Sequence, residues 1–397
     1  MSAALRLGFI PLNDCAPLAV AKEKGFFAGE GLQVELSREA SWATVRDKVA
    51  VGALDGAHML APMAIAASLG IGGERTPMVV PQSLNLGGSA FTVSKSLAQA
   101  LRALDPEGDA ARSARALSRL IASRREVGSA PLTFAVVFPY STQAYQLRYW
   151  LADAGIDPDK DVRLVVVPPP RTADQLSSGV IDGFYVGAPW GVQAVAQGAG
   201  EILAYSADIW RGGPDKVLGV TAAFAEAQPD ALQAIVRALI RAGVWADTPA
   251  HRGELAAILS RPEYVGASEA VVAELLTDAP EGLIYHRHAA GFPWRSHAAW
   301  FASQMLRWGQ AASTAGFVEA AEAVYRPDLY RRAAAALGVS APVDDSKCEG
   351  AYNADWVLPG SNGPIAMAAD PFCDGRVFDP AEVQRYASGF EMGRLER

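Results

Sequence analysis

Cysteine is scarce in this 397-residue chain, and the short motifs that mark common enzyme classes are missing. The three cysteines, Cys15, Cys348 and Cys373, form neither a CxxC pair nor a metal-ligand spacing, which favours reduced thiols over a disulfide framework. There is no GxxxxGK(S/T) phosphate loop, no GxGxxG after a strand, no HExxH and no GxSxG. We therefore expect a protein that is not an enzyme and that carries no cofactor or metal.

Positive charge is also in short supply. The chain has 35 Lys and Arg residues against 43 Asp and Glu residues, and its formal net charge is −8. This balance disfavours direct binding to nucleic acid or to an anionic membrane surface. If the ligand is an anion, the attraction has to come from a few locally placed groups.

Long apolar runs and a leader pattern are absent as well. No run reaches the roughly 18 residues that a membrane-spanning helix needs. The N-terminus lacks a charged segment, an apolar segment and a cleavage site, and it enters a strand-like run at residues 5–10. These features predict a cytoplasmic protein without a membrane span, unless a leader has been removed.

Strand and helix patterns alternate along the chain, which predicts an α/β fold with a mostly parallel sheet and helices on both faces. Residues 41–62 and 172–190 share one arrangement: a helix, a glycine, an x-Asp-Gly strand and a loop with proline. We interpret this similarity as a structural echo between two lobes. The predicted organisation is lobe 1 at 1–90, lobe 2 at 91–217, a helical return to lobe 1 at 218–340, and a wrapping C-terminal tail with short strands at 341–397. Two crossovers between lobes predict a ligand cleft between them.

Residues 139–155 form the stretch around which this cleft is expected to close. They follow a strand-like run at 132–138, and Ser141 and Thr142 stand where a helix N-cap would stand. Leu147, Trp150 and Leu151 then mark one apolar helical face. A capped helix after a strand leaves backbone N–H groups free to bind a small anion, although most such helix ends bind nothing.

Two further residues are candidates for the cleft, and three histidines are not. Trp42 begins a predicted helix, where it is either a core residue or an apolar wall of the cleft. Lys216 precedes a buried-looking strand, where it is either a solvated turn charge or a counter-charge for one monovalent anion. His286, His288 and His297 have no acidic or cysteine partner at a useful spacing, so we interpret them as solvated or packed histidines.

Long segments of the sequence resemble the nitrate- and bicarbonate-binding family of ABC-type solute-binding proteins. They are LGFIPLNDCAPLAVAKEKGFFAGEGLQVEL (7–36), EASWATVRDKVAVGALDGAHMLAPM (39–63), LRYWLADAGIDP (147–158), VGAPW (186–190), GPDKVLGV (213–220) and FPWRSHAAWFASQMLRWG (292–309). The resemblance runs in order from about residue 5 to 340. Because no leader is seen, it is nearest to the cytoplasmic branch, in which a nitrate/nitrite sensor holds an RNA-binding transcription antiterminator inactive until ligand binds.

The resemblance implies a two-lobed periplasmic-binding-protein-like fold (type II) and a set of ligand-binding positions. Trp42 would pack its ring on a planar anion, and Lys216 would supply the positive charge. The other implied positions are Ser141, Thr142 and Gln143 at the helix N-terminus, Val186, Gly187 and Pro189 in the loop after a lobe 2 strand, and Ser89 near a position where nitrate binders carry glutamine.

Two positions depart from the family pattern. Gln143 stands where nitrate binders usually have histidine, and Ala188 stands where the usual motif has glutamate. Glutamine donates a hydrogen bond through its amide but does not titrate. Lys216 is retained where bicarbonate binders have an acid that helps to hold calcium, which favours nitrate or nitrite without metal.

The expected function is therefore ligand-driven hinge closure in a cytoplasmic nitrate/nitrite sensor that controls an RNA-binding antiterminator of nitrate assimilation. The first alternative is the substrate-binding component of a nitrate or bicarbonate ABC transporter. The second is an enzyme on the same scaffold, as in pyrimidine-forming thiamin biosynthesis, although the cysteine-rich motif expected of that relative is absent.

Overall fold

The structure, a computed structural model, describes residues 4–106 and 108–393. Within this described part of the chain, no helix is both long enough and apolar enough to cross a membrane.

The elements follow the alternation expected from the sequence. The strands are β1 (Leu5–Phe9), β2 (Val34–Arg38), β3 (Gly56–Leu60), β4 (Met78–Ser83), β5 (Ser89–Ser94), β6 (Leu132–Val136), β7 (Val162–Val166), β8 (Gly183–Gly187), β9 (Gly200–Tyr205), β10 (Lys216–Thr221), β11 (Trp356–Leu358) and β12 (Ile365–Met367). The helices are α1 (Ala16–Glu23), α2 (Phe26–Gly29), α3 (Trp42–Ala50), α4 (Ala61–Leu69), α5 (Lys95–Leu104), α6 (Ala110–Glu126), α7 (Thr142–Asp153), α8 (Thr172–Ser177), α9 (Trp190–Ala196), α10 (Ser206–Ile209), α11 (Ala222–Ala227), α12 (Pro229–Ala246), α13 (Arg252–Ser260), α14 (Glu269–Ala273), α15 (Arg295–Arg307), α16 (Phe317–Glu322), α17 (Pro327–Ala336) and α18 (Val383–Ser388).

Ten of these strands form two five-stranded sheets with equivalent topologies, and β11 and β12 form a separate pair. The first sheet has the order β2-β1-β3-β10-β4 and the second has the order β7-β6-β8-β5-β9. We call them, with their flanking helices, lobe 1 and lobe 2. This arrangement confirms the two-lobed α/β fold with two crossovers. The predicted domain boundaries themselves stay a prediction.

The expectation of mostly parallel sheets is confirmed, because four of the five strands in each sheet run in one direction and one strand runs against them. In lobe 1, β1 runs parallel to β2 and β3, but β10 is antiparallel to β3 and β4. In lobe 2, β6 is parallel to β7 and β8, whereas β5 is antiparallel to β8 and β9. The antiparallel strands β5 and β10 are those that enter each sheet from the other lobe. Strand alternation in the sequence does not reveal that reversal.

The x-Asp-Gly segments that recur in the two lobes are similar because their aspartates, Asp55 and Asp182, make equivalent hydrogen bonds. Asp55 accepts a hydrogen bond from the amide of Arg6 (2.7 Å), and Asp182 accepts one from the amide of Thr133 (2.7 Å). The amides of Asp55 and Asp182 in turn donate to the carbonyls of the same two residues. Each x-Asp-Gly segment therefore fixes the start of one parallel strand pair, β1 with β3 and β6 with β8.

The two crossover segments, residues 84–88 and 212–216, pair with each other between the lobes. Gly87 donates its amide to the Gly213 carbonyl (3.0 Å), and Asp215 donates to the Asn85 carbonyl (3.2 Å). The buried Asn85 side chain also accepts from the Lys216 amide (3.2 Å). Gly88 has φ +77°, and a Cβ there would lie 2.4 Å from the Leu283 side chain. The crossover consequently has little room for a larger residue at that position.

Helix α7 forms as the sequence predicts. Ser141 adopts extended backbone and its side-chain oxygen accepts from the Ala144 amide (3.0 Å), which is N-cap geometry. Leu147, Trp150 and Leu151 are all buried. The helix thus lies with its N-terminus at the cleft and its apolar face in the core.

The C-terminal tail carries the short strands β11 and β12, and its later part packs on lobe 2. Phe372 is buried and its ring stacks on those of Trp210 (centroids 4.7 Å apart), Tyr149 of α7 (5.7 Å) and Trp300 of α15 (5.9 Å). The amide of Cys373 donates to the Ile209 carbonyl (2.9 Å). The tail is therefore part of the folded core.

A second, charged contact holds the tail to α15. The ammonium of Lys347 pairs with Glu349 and with Asp370 (2.9 Å), and Ser296 donates to Glu349 (2.6 Å). His297 is also buried there. Burial and the nearby Lys347 cation lower the pKa of His297 well below its ordinary value, so the ring is neutral at pH 7.

Candidate functional site

The strongest concentration of buried charge lies between the lobes, where the crossover strands begin. Lys216 is the first residue of β10 and is 1% exposed. Its Nζ lies 2.6 Å from Asp215 Oδ2 and 2.8 Å from Asp14 Oδ2. The ammonium therefore lies between two carboxylates and pairs with both. A buried lysine ammonium at the junction of two lobes is a group that can neutralise an anion there.

Hydrogen-bond donors from lobe 2 contact the carboxylate of Asp215, the same carboxylate that pairs with Lys216. The Gln143 amide nitrogen lies 2.8 Å and 2.7 Å from the two carboxylate oxygens of Asp215. Ser89 Oγ donates to Asp215 Oδ2 (3.0 Å), and the Gln143 amide also reaches Ser89 Oγ (2.9 Å). Ser89, Gln143 and Lys216 therefore converge on one planar oxyanionic group, the carboxylate of Asp215.

An aromatic ring and a histidine border this cluster on the lobe 1 side. Trp42, the first residue of α3, is buried, and Lys216 Nζ lies 5.7 Å from the centre of its ring. The Trp42 and His58 rings are 5.3 Å apart, and His58 Nε2 lies 2.8 Å from Asp14 Oδ1. The indole nitrogen of Trp42 has no hydrogen-bond partner among the described residues. The cluster thus has one apolar wall beside its charged groups.

Burial and ion pairing act in opposite directions on the ionisable groups. Burial alone would raise the pKa of Asp14, but Lys216 and His58 outweigh it and the pKa is lowered. Burial alone would lower the pKa of Lys216, but the carboxylates of Asp14 and Asp215 outweigh it and the pKa is raised. Both shifts favour the charged forms, so Lys216 and Asp14 form an ion pair at neutral pH.

Four of the residues singled out from the sequence come together here: Trp42, Ser89, Gln143 and Lys216. Gly187 pairs in register with Ser89, and a Cβ on it would lie 3.1 Å from Asp14 Oδ2 and 3.8 Å from Lys216 Nζ. Its lack of a side chain lets the two lobes approach closely. The roles of these five residues in binding a ligand stay predictions.

The remaining predicted positions lie around the cluster. The Ser141 hydroxyl donates to the Phe138 carbonyl (2.7 Å), so it is already engaged in capping α7. The Thr142 hydroxyl reaches the Asp215 carbonyl at 3.5 Å. Val186 pairs with Ala90 inside the lobe 2 sheet, and Pro189 is buried after a cis peptide bond with Ala188. These four positions stay predictions as ligand-binding residues.

Sequence reasoning missed three charged or titratable members: Asp14, His58 and Asp215. A signal for Asp215 was its place next to Lys216, and a signal for His58 was its place in an apolar strand. Asp14 lies in the loop after β1, where an aspartate usually indicates only a turn. In the described residues, no group of three or more His, Cys, Asp or Glu side chains is arranged to hold a metal ion.

Comparison with known proteins identifies the family. Residues 1–260 match the NMT1-like family. The chain is also 31% identical over 409 residues to the nitrate/nitrite binding protein NrtA of Nostoc sp., which covers 98% of this chain and 86% of that protein. The chain belongs to the NMT1-like family. The NrtA of Synechococcus elongatus is similar as well, with 32% identity over the same shares of both chains.

Two solved structures of solute-binding proteins agree with this fold. The crystal structure of the periplasmic nitrate-binding protein NrtA from Synechocystis superposes with a TM-score of 0.85 at 29% identity, covering 98% of each chain. A ligand-binding component of an ABC-type import system from Staphylococcus aureus superposes with a TM-score of 0.65 at 17% identity. It covers 84% of this chain and 99% of that one, and it supports the fold alone.

Another relative is a longer protein. The chain is 39% identical over 408 residues to the nitrate import ATP-binding protein NrtC of Synechocystis sp.. The match covers 98% of this chain but only 55% of that protein. This NMT1-like chain therefore spans about half the length of NrtC.

Proposed function

We propose that this NMT1-like protein binds nitrate or nitrite in the cleft between its lobes and has no catalytic activity. One observation carries the proposal: Ser89, Gln143 and Lys216 already converge on a planar oxyanionic group, the carboxylate of Asp215. Nitrate and nitrite are planar monovalent oxyanions of similar size. The names of the NrtA relatives supply the ligand class.

The binding mechanism follows from the lobe that contributes each group. Lys216 and Trp42 belong to lobe 1, while Ser89 and Gln143 belong to lobe 2. A ligand that contacts both sets favours the closed arrangement over an open one. Lys216 would neutralise the anion, the Gln143 amide and Ser89 hydroxyl would donate to its oxygens, and the Trp42 ring would cover one face.

The test is isothermal titration of the protein with nitrate, nitrite and bicarbonate, with and without calcium. We expect nitrate or nitrite to bind without calcium, and we expect Lys216→Ala to weaken binding by at least about 100-fold, because the charge partner of a buried anion is lost. Lys160→Ala, at a side chain that is 72% exposed, is the control and should bind like the wild type. Binding of bicarbonate only with calcium, or of none of the three anions, would contradict the proposal.

We propose further that a protein partner in the cytoplasm binds this protein only when the cleft holds no anion. The resemblance to the nitrate/nitrite sensor branch supports an RNA-binding antiterminator as that partner. The alternative use is as a binding component of a nitrate or bicarbonate transporter, which the names of the NrtA and NrtC relatives support.

Affinity capture distinguishes these two uses. Tagged protein should retain the antiterminator in ligand-free buffer and release most of it when nitrate or nitrite is added. Lys216→Ala should retain it under both conditions, because that variant no longer senses the anion. Capture that is the same with and without anion in the wild type would contradict the sensor proposal.

A further inference from the structure

The donors that the proposed function assigns to the anion are occupied by the protein itself. Asp215 accepts from Ser89 and from Gln143, and it pairs with Lys216, all within 3.0 Å. Asp215 is 3% exposed, so this carboxylate is enclosed together with its donors. It therefore stands where an external oxyanion would have to stand.

The charges of the cluster leave no place for an added anion. Asp14 and Asp215 supply two carboxylates, and Lys216 supplies one ammonium. His58 faces Asp14, and the hydroxyl of Tyr185 from β8 is bound to Gln146 rather than to the cluster. A nitrate added beside both carboxylates would put three negative groups around the Lys216 ammonium in a buried site, which is unfavourable. An anion enters favourably only by replacing one of the carboxylates.

Asp215 is the carboxylate in a position to be replaced. Its two oxygens hold the donors from lobe 2, whereas the Asp14 carboxylate contacts Lys216 and His58 on the lobe 1 side. The backbone of Asp215 lies in the crossover, where its carbonyl accepts from the Ala61 amide (3.3 Å) and from the Thr142 hydroxyl (3.5 Å). The same residue thus joins lobe 1, lobe 2 and the segment between them.

We propose that Asp215 is the specificity-determining residue of the cleft: it acts as an internal anion that holds the lobes together in the absence of ligand, and a monovalent planar oxyanion binds by replacing its carboxylate and then joins the lobes in its place. This inference rests on the proposed function for the identity of the ligand. It adds that binding is an exchange of one anionic group for another. A ligand with a second negative charge would not be neutralised by Lys216 alone and is excluded.

The test compares Asp215→Asn with Asp14→Asn by titration with nitrate and nitrite. Both substitutions are nearly isosteric and remove one carboxylate beside Lys216, but only Asp215 occupies the lobe 2 donors. We expect Asp215→Asn to bind the anion about tenfold more tightly than the wild type or better. In Asp14→Asn the affinity for the anion should rise by less than half of that factor. Equal gains in both variants, or no gain in Asp215→Asn, would overturn the inference while leaving the proposed function intact.

A second measurement does not depend on the ligand. Small-angle X-ray scattering of the anion-free proteins should give a larger radius of gyration for Asp215→Ala than for the wild type, because the internal anion no longer joins the lobes. Addition of nitrate should return the variant to the wild-type value. An unchanged radius in Asp215→Ala would overturn the inference. A larger radius without any anion binding in wild type or variants would support the internal tether and refute the proposed ligand.

Discussion

Lys216→Met is expected to lower the free energy of unfolding by about 3–5 kcal/mol, as breaking a buried ion pair by removing one partner usually does. Methionine fills a similar volume, so the loss comes from the charge. Asp14 and Asp215 would remain buried without the ammonium that lies 2.8 Å and 2.6 Å from them. Urea unfolding monitored by circular dichroism measures the difference.

The decrease in the free energy of unfolding caused by Lys216→Met should depend on pH. In the wild type the pKa of Asp14 is lowered and that of Lys216 is raised, so the pair is intact across neutral pH and fails only in strong acid or base. Without Lys216, only His58 opposes the effect of burial on the pKa of Asp14, so Asp14 takes up a proton more readily. The destabilisation should therefore be smaller at about pH 5 than at about pH 8.

A matched double variant tests whether the destabilisation of Lys216→Met comes from uncompensated charge. Adding Asp14→Asn to Lys216→Met removes one of the two uncompensated carboxylates, and it should restore at least about 1 kcal/mol at pH 8. If the double variant were less stable than Lys216→Met at that pH, the loss would not come from uncompensated charge.

Phe372→Ala is expected to cost about 3–5 kcal/mol, the range found when a buried aromatic ring is deleted. The ring stacks on Tyr149, Trp210 and Trp300, and the tail backbone pairs with the chain next to Trp210. Its loss would leave a cavity among three large side chains. Thermal or urea unfolding gives the cost.

Val357→Ala is the control for the tail, because Val357 is 65% exposed in the short strand β11. It should change the free energy of unfolding by less than about 0.5 kcal/mol. If Phe372→Ala and Val357→Ala both changed the free energy of unfolding by similarly small amounts, the tail would cover lobe 2 without stabilising it.

Much of the fold was predictable because periodicity reports burial. Strand-like runs indicated β1, β3, β6, β8 and β10, and Ser141 with the apolar face of residues 147–151 indicated α7. Strand β9 gives no such signal because its burial is only partial along most of its length, which leaves no clear apolar alternation. The direction of β5 and β10 was missed because it depends on how the chain returns from the other lobe.

The site was predictable only in part. The resemblance indicated Trp42, Gln143 and Lys216, which the structure brings close to one another. Asp14 lies about 200 residues from Lys216 along the chain, and their contact exists only after two lobes and a crossover have formed. No local spacing signals such a pair. For the same reason, the occupation of the donors by Asp215 could not be derived from the sequence.

The place of β10 in the first sheet has a consequence for biosynthesis. Strands β5 to β9 are consecutive in the chain, so the second sheet contains all its strands once residue 205 has been made. The first sheet begins with β1 but lacks the strand between β3 and β4 until residue 221 has been made. A nascent chain paused between these points holds one complete sheet beside one in which the edges of β3 and β4 that β10 later covers are unpaired, and in that interval it is most exposed to aggregation.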